Sequence, residues 1–193
     1  PVTLRFRRSA AFLTLLASCV ASVDAGDWPQ FRGPNGDGIS TEGPIPAKWD
    51  AAKNLKWKAD LPGKGSSSPI VLGERIFVTC YSGYGEAAGG DDAKLTRHLV
   101  CVDKPSGEIL WTQGVKNNAN EDRYQGFITE HGYASATPVA DSKNVYAFFG
   151  KSGVSAYDLH GNNLWNVNVG TSSSNRRWGS AASLILHGDS VIV

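Results

Sequence analysis

Short segments with strand-like alternation occupy most of this chain. Residues 145–148 and 154–157 alternate in the way expected of antiparallel strands that stack face to face. Between them lies Gly150–Gly153, where glycine allows the positive φ that a tight turn requires. The pattern predicts a β-hairpin there, and an earlier set of four strands with an insertion over residues 81–97. Those four are predicted over Ile70–Leu72, Arg75–Cys80, His98–Val102 and Ile109–Thr112.

The strands belong to a repeat. Trp57, Trp111 and Trp165 lie 54 positions apart. The sequence that leads to the second and third follows the same order, with a small residue, an Asp, a glycine turn and then the Trp. A second element recurs upstream, as residues 65–71 and 133–139. Self-similarity at this period, in short β-rich segments, indicates stacked supersecondary units rather than one irregular core.

We therefore predict an all-β fold, a β-propeller of four-stranded antiparallel blades with about two and a half blades in this chain. Residues 26–193 supply too few blades for a closed ring, so we expect the chain to be part of a longer propeller. The predicted divisions are a signal peptide at 1–25, a lead-in at 26–54, a closing strand at 55–59, blade one at 66–112, blade two at 133–167 and the start of blade three at 178–193.

The first 25 residues have the pattern of an export signal. Arg5, Arg7 and Arg8 provide a positive flank, an apolar stretch follows, and small residues precede cleavage after Ala25. The segment ending at Cys19 also fits a lipoprotein box, in which that cysteine becomes the lipid anchor. Both routes predict an exported protein of the periplasm or cell surface.

Charge and apolar content narrow the classes of partner. With residues 1–25 removed, 16 basic and 17 acidic residues remain. The remaining chain therefore lacks the excess of basic residues that is typical of a protein that binds nucleic acid. Beyond the export signal, no apolar stretch approaches the roughly 20 residues that cross a bilayer. Cys80 and Cys101 are expected to be diagonal neighbours across two strands, buried and reduced rather than paired.

The run from Cys101 to Trp111, with Asp103 and Gly107 between them, resembles the tryptophan-docking motif of the pyrroloquinoline quinone (PQQ) dehydrogenase-type β-propellers. A second copy contains Asp158, Gly161 and Trp165. Together with the Asp-Trp-Pro-Gln-Phe-Arg-Gly-Pro segment at 27–34, the repeats are similar to the exported PQQ-like repeat proteins of bacteria, which include the outer-membrane assembly propeller lipoprotein. This resemblance implies a fold more strongly than an activity.

Within that resemblance, the quinoprotein dehydrogenases hold PQQ and calcium over the channel and often carry an adjacent-cysteine disulfide. This chain has no Cys-Cys pair, and no calcium ligands match residue by residue. The motifs of the common hydrolases and zinc enzymes are also missing from the sequence. We predict no catalytic residue and no metal ligand in this segment, and leave the cofactor-binding residues unassigned.

The most site-like residues precede two inner strands. Glu130 and His131 come before that of blade two, and Arg176, Arg177 and Trp178 before that of blade three. Loops entering successive inner strands gather at one end of a propeller channel, so these residues could bind an anionic or aromatic ligand. The alternative is that the arginines are solvated loop charges while His131 and Trp178 pack between blades.

The leading functional hypothesis is a binding or scaffold module of the cell envelope, whose partners are envelope proteins or a small anionic or sugar-like ligand. The main alternative is a PQQ- and calcium-dependent dehydrogenase of alcohols or sugars. A carbohydrate-binding propeller is a third possibility.

Overall fold

The computed structural model describes residues 26–43, 45–85 and 90–193. The predicted signal peptide and Cys19 lie outside these residues. Two four-stranded antiparallel sheets, ordered β1-β2-β3-β4 and β5-β6-β7-β8, are followed by the hairpin β9-β10. The strands are β1 (Ile70–Leu72), β2 (Arg75–Ser82), β3 (Thr96–Asp103), β4 (Ile109–Lys116), β5 (Val139–Ala140), β6 (Asn144–Phe148), β7 (Val154–Asp158), β8 (Asn163–Val167), β9 (Ile185–His187) and β10 (Ser190–Ile192), with the short helix α1 (Ile128–His131) before β5.

The two sheets are copies of one blade. Across the first, Ile70 faces Phe77, Phe77 faces Cys101 and Cys101 faces Trp111. The second has the same chain of partners in Val139, Tyr146, Ala156 and Trp165, and both sheets carry a register shift just after the small residue of β3 or β7. The predicted all-β fold of four-stranded, propeller-like blades is confirmed. We call β1–β4 blade one and β5–β8 blade two.

Apolar side chains fill the space between consecutive blades. Phe77, Leu99 and Cys101 of blade one pack with Val145 and Tyr157 of blade two in one buried cluster. A matching cluster joins blade two to the β9-β10 hairpin, centred on Val139, Val154 and Leu184. Because these clusters lie between sheets, each blade is stabilised mainly by its neighbours, as in other repeat folds.

Tryptophan side chains cross from one repeat to the turn of the next. The Trp57 indole donates a hydrogen bond of 2.9 Å to the Lys104 carbonyl, and Trp111 donates one of 3.2 Å to the Leu159 carbonyl. Each indole lies against a glycine, Gly107 or Gly161, where a Cβ would come within 2.5 or 2.8 Å of the ring. Both glycines have positive φ, so the turn requires glycine for its conformation as well as for space.

The aspartates of the motif shape these turns. Asp103 accepts hydrogen bonds from the Ser106 amide and hydroxyl, and Asp158 accepts them from Asn162. These bonds, from Ser106 to Asp103 and from Asn162 to Asp158, hold the pKa of both carboxyl groups below its usual value. Trp165 has no following turn to meet among the described residues; it packs on Tyr146 and remains 38% exposed.

Strands extend further than the pattern predicts at the ends near the blade-one insertion. β2 continues to Ser82 and β3 begins at Thr96, because these residues pair with each other and so carry the sheet into the predicted insertion. β4 likewise continues to Lys116. Residues 55–59, predicted as a closing strand, form no strand in the described sheets; Trp57 and Ala59 pack instead against the cluster that contains Cys80 and Val100. Their role in closing a ring stays a prediction.

The expected placement of the two cysteines is wrong, although both thiols are buried and free. Cys80 faces His98, whereas Cys101 faces Phe77, three positions away along β2. An odd offset puts the side chains on opposite faces of the sheet. Accordingly, Cys101 lies in the cluster between the blades, and Cys80 packs with Val100 on the other face.

The native thiols are expected to resist alkylation. Burial raises the pKa of Cys80 to about 11 and that of Cys101 to about 12, so neither forms a thiolate at pH 8. Unfolded thiols ionise near pH ~8.5, so the stability contributed by the neutral buried thiols is complete below that pH and is lost as the pH rises toward the native values. Mass spectrometry after iodoacetamide treatment checks this; rapid labelling of native protein at pH 8 would contradict it.

The lead-in crosses the innermost strands of both blades. Trp28 and Val71 exchange two backbone hydrogen bonds, of 2.8 and 2.9 Å, and the Pro29 carbonyl accepts one of 2.9 Å from Ala140. Asp27 accepts a bond from the Gly73 amide in the turn after β1. The lead-in therefore adds to the inner edge of blade one and reaches blade two. Among the described residues, no helix is long and apolar enough to span a membrane.

Candidate functional site

The candidate site lies at one end of the blades, which we call the loop face. Antiparallel order places the connections β2-β3 and β6-β7 at this end, together with the long connections that enter β5 (residues 117–138) and β9 (168–184). At the opposite end, the described connections between strands are turns of two to five residues. The two long connections meet at the loop face, and they contain every residue predicted from sequence as part of the site.

His131 joins the two long connections. It ends α1, and its Nε2 lies 2.8 Å from the Trp178 carbonyl oxygen. A carbonyl can only accept, so Nε2 carries a proton and donates it across the gap. Its Nδ1 lies 2.8 Å from the Ser135 hydroxyl oxygen, which in turn lies 3.1 Å from the His131 carbonyl oxygen, so the one hydroxyl proton serves one of these two acceptors at a time. The structure thus brings His131 to Trp178, as the sequence suggested.

Arg176 and Phe127 surround the Trp178 indole. The Arg176 guanidinium carbon lies 4.7 Å from the centre of the indole, within the range of a cation–π contact, and the Phe127 ring lies 4.6 Å from it. Trp178 and Phe127 remain 41% and 57% exposed, so both offer surface to a ligand. These side chains form part of a cleft. The arginine cleft, as we call it, is lined by Arg123, Gln125, Phe127, Arg176, Arg177 and Trp178.

The charge of the arginine cleft is uncompensated within the described part of the chain. None of Arg123, Arg176 and Arg177 has a described carboxylate within 4.0 Å. Glu130, predicted as a site residue, is exposed and does not line the cleft. Arg177 has φ of 52°, a left-handed conformation that an arginine rarely adopts. Three guanidinium groups and two aromatic rings therefore face solvent together.

A layer of buried charge lies behind the arginine cleft. Arg97 is 2% exposed; it contacts Glu121 at 2.7 Å, and donates to the Tyr133 carbonyl and the Ser152 hydroxyl at 3.0 and 3.2 Å. Lys151 contacts Asp122 at 3.4 Å. Two cations and two carboxylates balance, which is what permits charged groups to be buried at this depth.

Sequence reasoning missed this layer entirely. Arg97 was assigned to the insertion and Lys151 to a hairpin turn, and the two acidic residues were given no role. The two ion pairs join residues that are 24 and 29 positions apart, and pairing over such distances leaves no local pattern in the sequence. Gly150 and Gly153 were the available signal, because both adopt the positive φ predicted for them and so turn Lys151 inward.

Hydroxyl side chains just before the inner strands were also missed. The Thr137 hydroxyl accepts a hydrogen bond of 3.1 Å from the Ser68 amide, and the Ser183 hydroxyl accepts one of 3.1 Å from the Thr137 amide. Equivalent positions before the inner strands of successive repeats are thus hydrogen-bonded to one another. The signal was present, because Ser68 and Thr137 both precede the proline of the recurring upstream element.

The described residues gather no side-chain set for the calcium of the dehydrogenase alternative. No three His, Cys, Asp or Glu side chains within them lie close enough to hold a metal ion. Calcium requires several oxygen ligands, and the two buried carboxylates at the loop face, Glu121 and Asp122, are already engaged by Arg97 and Lys151. We therefore derive no chemistry through calcium or PQQ.

Repeated four-stranded blades and indoles docked on glycine turns define this chain as a PQQ-like repeat β-propeller. A family model described as "Outer membrane protein assembly factor BamB" matches residues 87–193, more than half of the chain. The chain belongs to this family. No curated protein matches the chain in a sequence search.

Proposed function

We propose that this chain is the propeller of an exported binding protein of the cell envelope, and that it holds acidic segments of partner proteins in the arginine cleft. The observation that carries the proposal is the grouping of Arg123, Arg176 and Arg177 around two exposed rings without a described carboxylate. The family description, an assembly factor for outer membrane proteins, supports a role in contacting other proteins.

The chemistry of the cleft favours an acidic segment that also carries an aromatic residue. Guanidinium groups bind carboxylates with two parallel hydrogen bonds, and such charge-assisted bonds are roughly twice as strong as neutral ones. The exposed faces of Phe127 and Trp178 can pack against a third ring. No catalytic step is needed for this function, and export to the periplasm or surface, with or without a lipid at Cys19, places the cleft among envelope partners.

Removing two of the guanidinium groups is expected to weaken binding about tenfold or more. The variant is Arg176→Gln with Arg177→Asn; asparagine is chosen because it tolerates the left-handed conformation at position 177. The measurement is fluorescence anisotropy with a labelled Glu-Glu-Phe-Glu-Glu peptide, and the glutamine version of the peptide serves as the uncharged control.

Lys143→Gln is the matched control, because Lys143 is an exposed cation in a turn at the opposite end of the blades. It should leave peptide affinity unchanged. Equal affinity of wild type and the double arginine variant would refute the proposal. In cells, a photo-crosslinker at Phe127 should capture envelope proteins that one at Lys143 does not; equal capture at both would also count against it.

A further inference from the structure

A contact set whose two charged side chains are buried connects the two loops that build the arginine cleft. Asp122 belongs to the connection that enters β5, Ser173 to the one that enters β9, and Lys151 to the hairpin between β6 and β7. The Ser173 hydroxyl donates to Asp122 Oδ1 at 2.5 Å, and Lys151 Nζ donates to Ser173 Oγ at 2.7 Å. Lys151 also lies 3.4 Å from the same carboxylate oxygen.

These residues stand directly beside the cleft in sequence. Asp122 precedes Arg123, and Ser173 comes three residues before Arg176. The segment after Trp178 returns to the same place, because Gly179 lines a small cavity together with Asp122 and Lys151. Both ends of the loop that carries Arg176 and Trp178 therefore approach this contact set.

We propose that Asp122, Lys151 and Ser173 form a clamp that positions the two walls of the arginine cleft before any partner binds. The proposal rests on the proposed function, since it assigns these residues a role in that site. They are positioning residues: they touch the loops, and the arginines touch the partner. The clamp gives the cleft a defined shape, which lowers the ordering cost of binding.

Lys151 is the centre of the clamp. Its Nζ donates hydrogen bonds to Ser173 and to the Asn120 carbonyl at 2.9 Å, and it forms an ion pair with Asp122. The Asp122 backbone carbonyl accepts a further bond of 2.6 Å from the Tyr133 hydroxyl. The side chains of Lys151 and Asp122 are 11% and 7% exposed, so water competes little for the contact between them, whereas Ser173 is exposed. The buried ion pair is the fixed part of the network, and Ser173 joins the arginine-bearing loop to it.

Contacts elsewhere in the site do not replace the clamp. Two further bonds join the same connections, from His131 to the Trp178 carbonyl and from the Thr137 amide to the Ser183 hydroxyl, and both fix the loop beyond Arg177. Over residues 174–177, the backbone hydrogen bond is that of the local turn, from the Arg177 amide to the Ser174 carbonyl. Ser173 therefore attaches the amino-terminal side of the arginine-bearing segment, while the Phe127 ring contacts Trp178 at its other side.

Ser173→Ala tests the clamp without leaving a buried charge unpaired, because Lys151 and Asp122 remain together. The matched control is Ser174→Ala, an exposed neighbour whose side chain makes no hydrogen bond to the described residues. Ser173→Thr keeps the hydroxyl and serves as the rescue. The intact protein is compared in two ways: hydrogen exchange of residues 173–180 without ligand, and affinity for the labelled Glu-Glu-Phe-Glu-Glu peptide.

For Ser173→Ala we expect exchange in this loop to rise and peptide affinity to fall about fivefold, with Ser174→Ala and Ser173→Thr close to wild type. Unchanged exchange in Ser173→Ala overturns the clamp, whatever the peptide does. Raised exchange with unchanged affinity overturns its role in positioning. If wild type does not bind the peptide at all, the proposed function fails; raised exchange in Ser173→Ala alone would then still support a clamp between the loops.

Discussion

The Trp111→Ala variant is expected to lose about 3–5 kcal/mol of folding free energy. The Trp111 ring packs between blades, with its centre 5.8 Å from that of Phe77 and 6.4 Å from that of Tyr157. Its removal opens a cavity in the cluster between blades and leaves the Leu159 carbonyl without its donor. Urea denaturation followed by circular dichroism measures the loss.

Trp49→Ala is the control for this prediction. Trp49 is 72% exposed, so its removal should change stability by less than about 0.5 kcal/mol. Trp111→Phe should fall between the two, because it keeps most of the packing and loses the hydrogen bond. A Trp111→Ala variant as stable as Trp49→Ala would mean that indole docking does not hold the blades together.

Arg97→Met is expected to cost a similar amount, about 3–5 kcal/mol, for a different reason. Methionine fills much of the space of the arginine stem but leaves the Glu121 carboxylate, 5% exposed, without its cation. The Tyr133 carbonyl and the Ser152 hydroxyl lose a donor as well. An unpaired buried charge accounts for most of the effect, and the same urea denaturation measures it.

Two comparisons isolate the charge. Adding Glu121→Gln to Arg97→Met should recover part of the lost stability, because the unpaired charge is removed. Lys104→Met breaks a pair whose Glu74 side chain is 58% exposed, and it should cost less than about 1 kcal/mol. If the double variant is no more stable than Arg97→Met alone, the explanation by buried charge is wrong.

The repeating parts of the fold were predictable because their causes are local. Strand alternation and the glycines of the docking turns lie within one repeat, and the tryptophans recur every 54 residues. The strand ends were less predictable. Ser82 and Thr96 extend the strands because they pair with each other, and no local pattern in the sequence predicts that pairing. A single misplaced offset also put Cys80 and Cys101 on the wrong relative faces.

The candidate site was predictable at its surface and not beneath it. Loops entering inner strands gather at one end of a propeller, which placed His131, Arg176, Arg177 and Trp178 in one region. Arg123 and Phe127 were missed because nothing in the sequence shows that the connection that carries them folds beside Arg176 and Trp178. Charged residues such as Arg97 are usually solvated, so burial of this one in a balanced network could be found only from the three-dimensional contacts.

The bonds from Trp28 and Pro29 change how unfolding can begin. In a repeat fold, each unit contacts only its neighbours, so one unit can detach while the others stay folded. Here the lead-in is hydrogen-bonded to the inner edge of blade one and also to blade two. Detaching blade one alone would have to break contacts that the lead-in shares with its neighbour, so the amino-terminal pair should open as one cooperative unit.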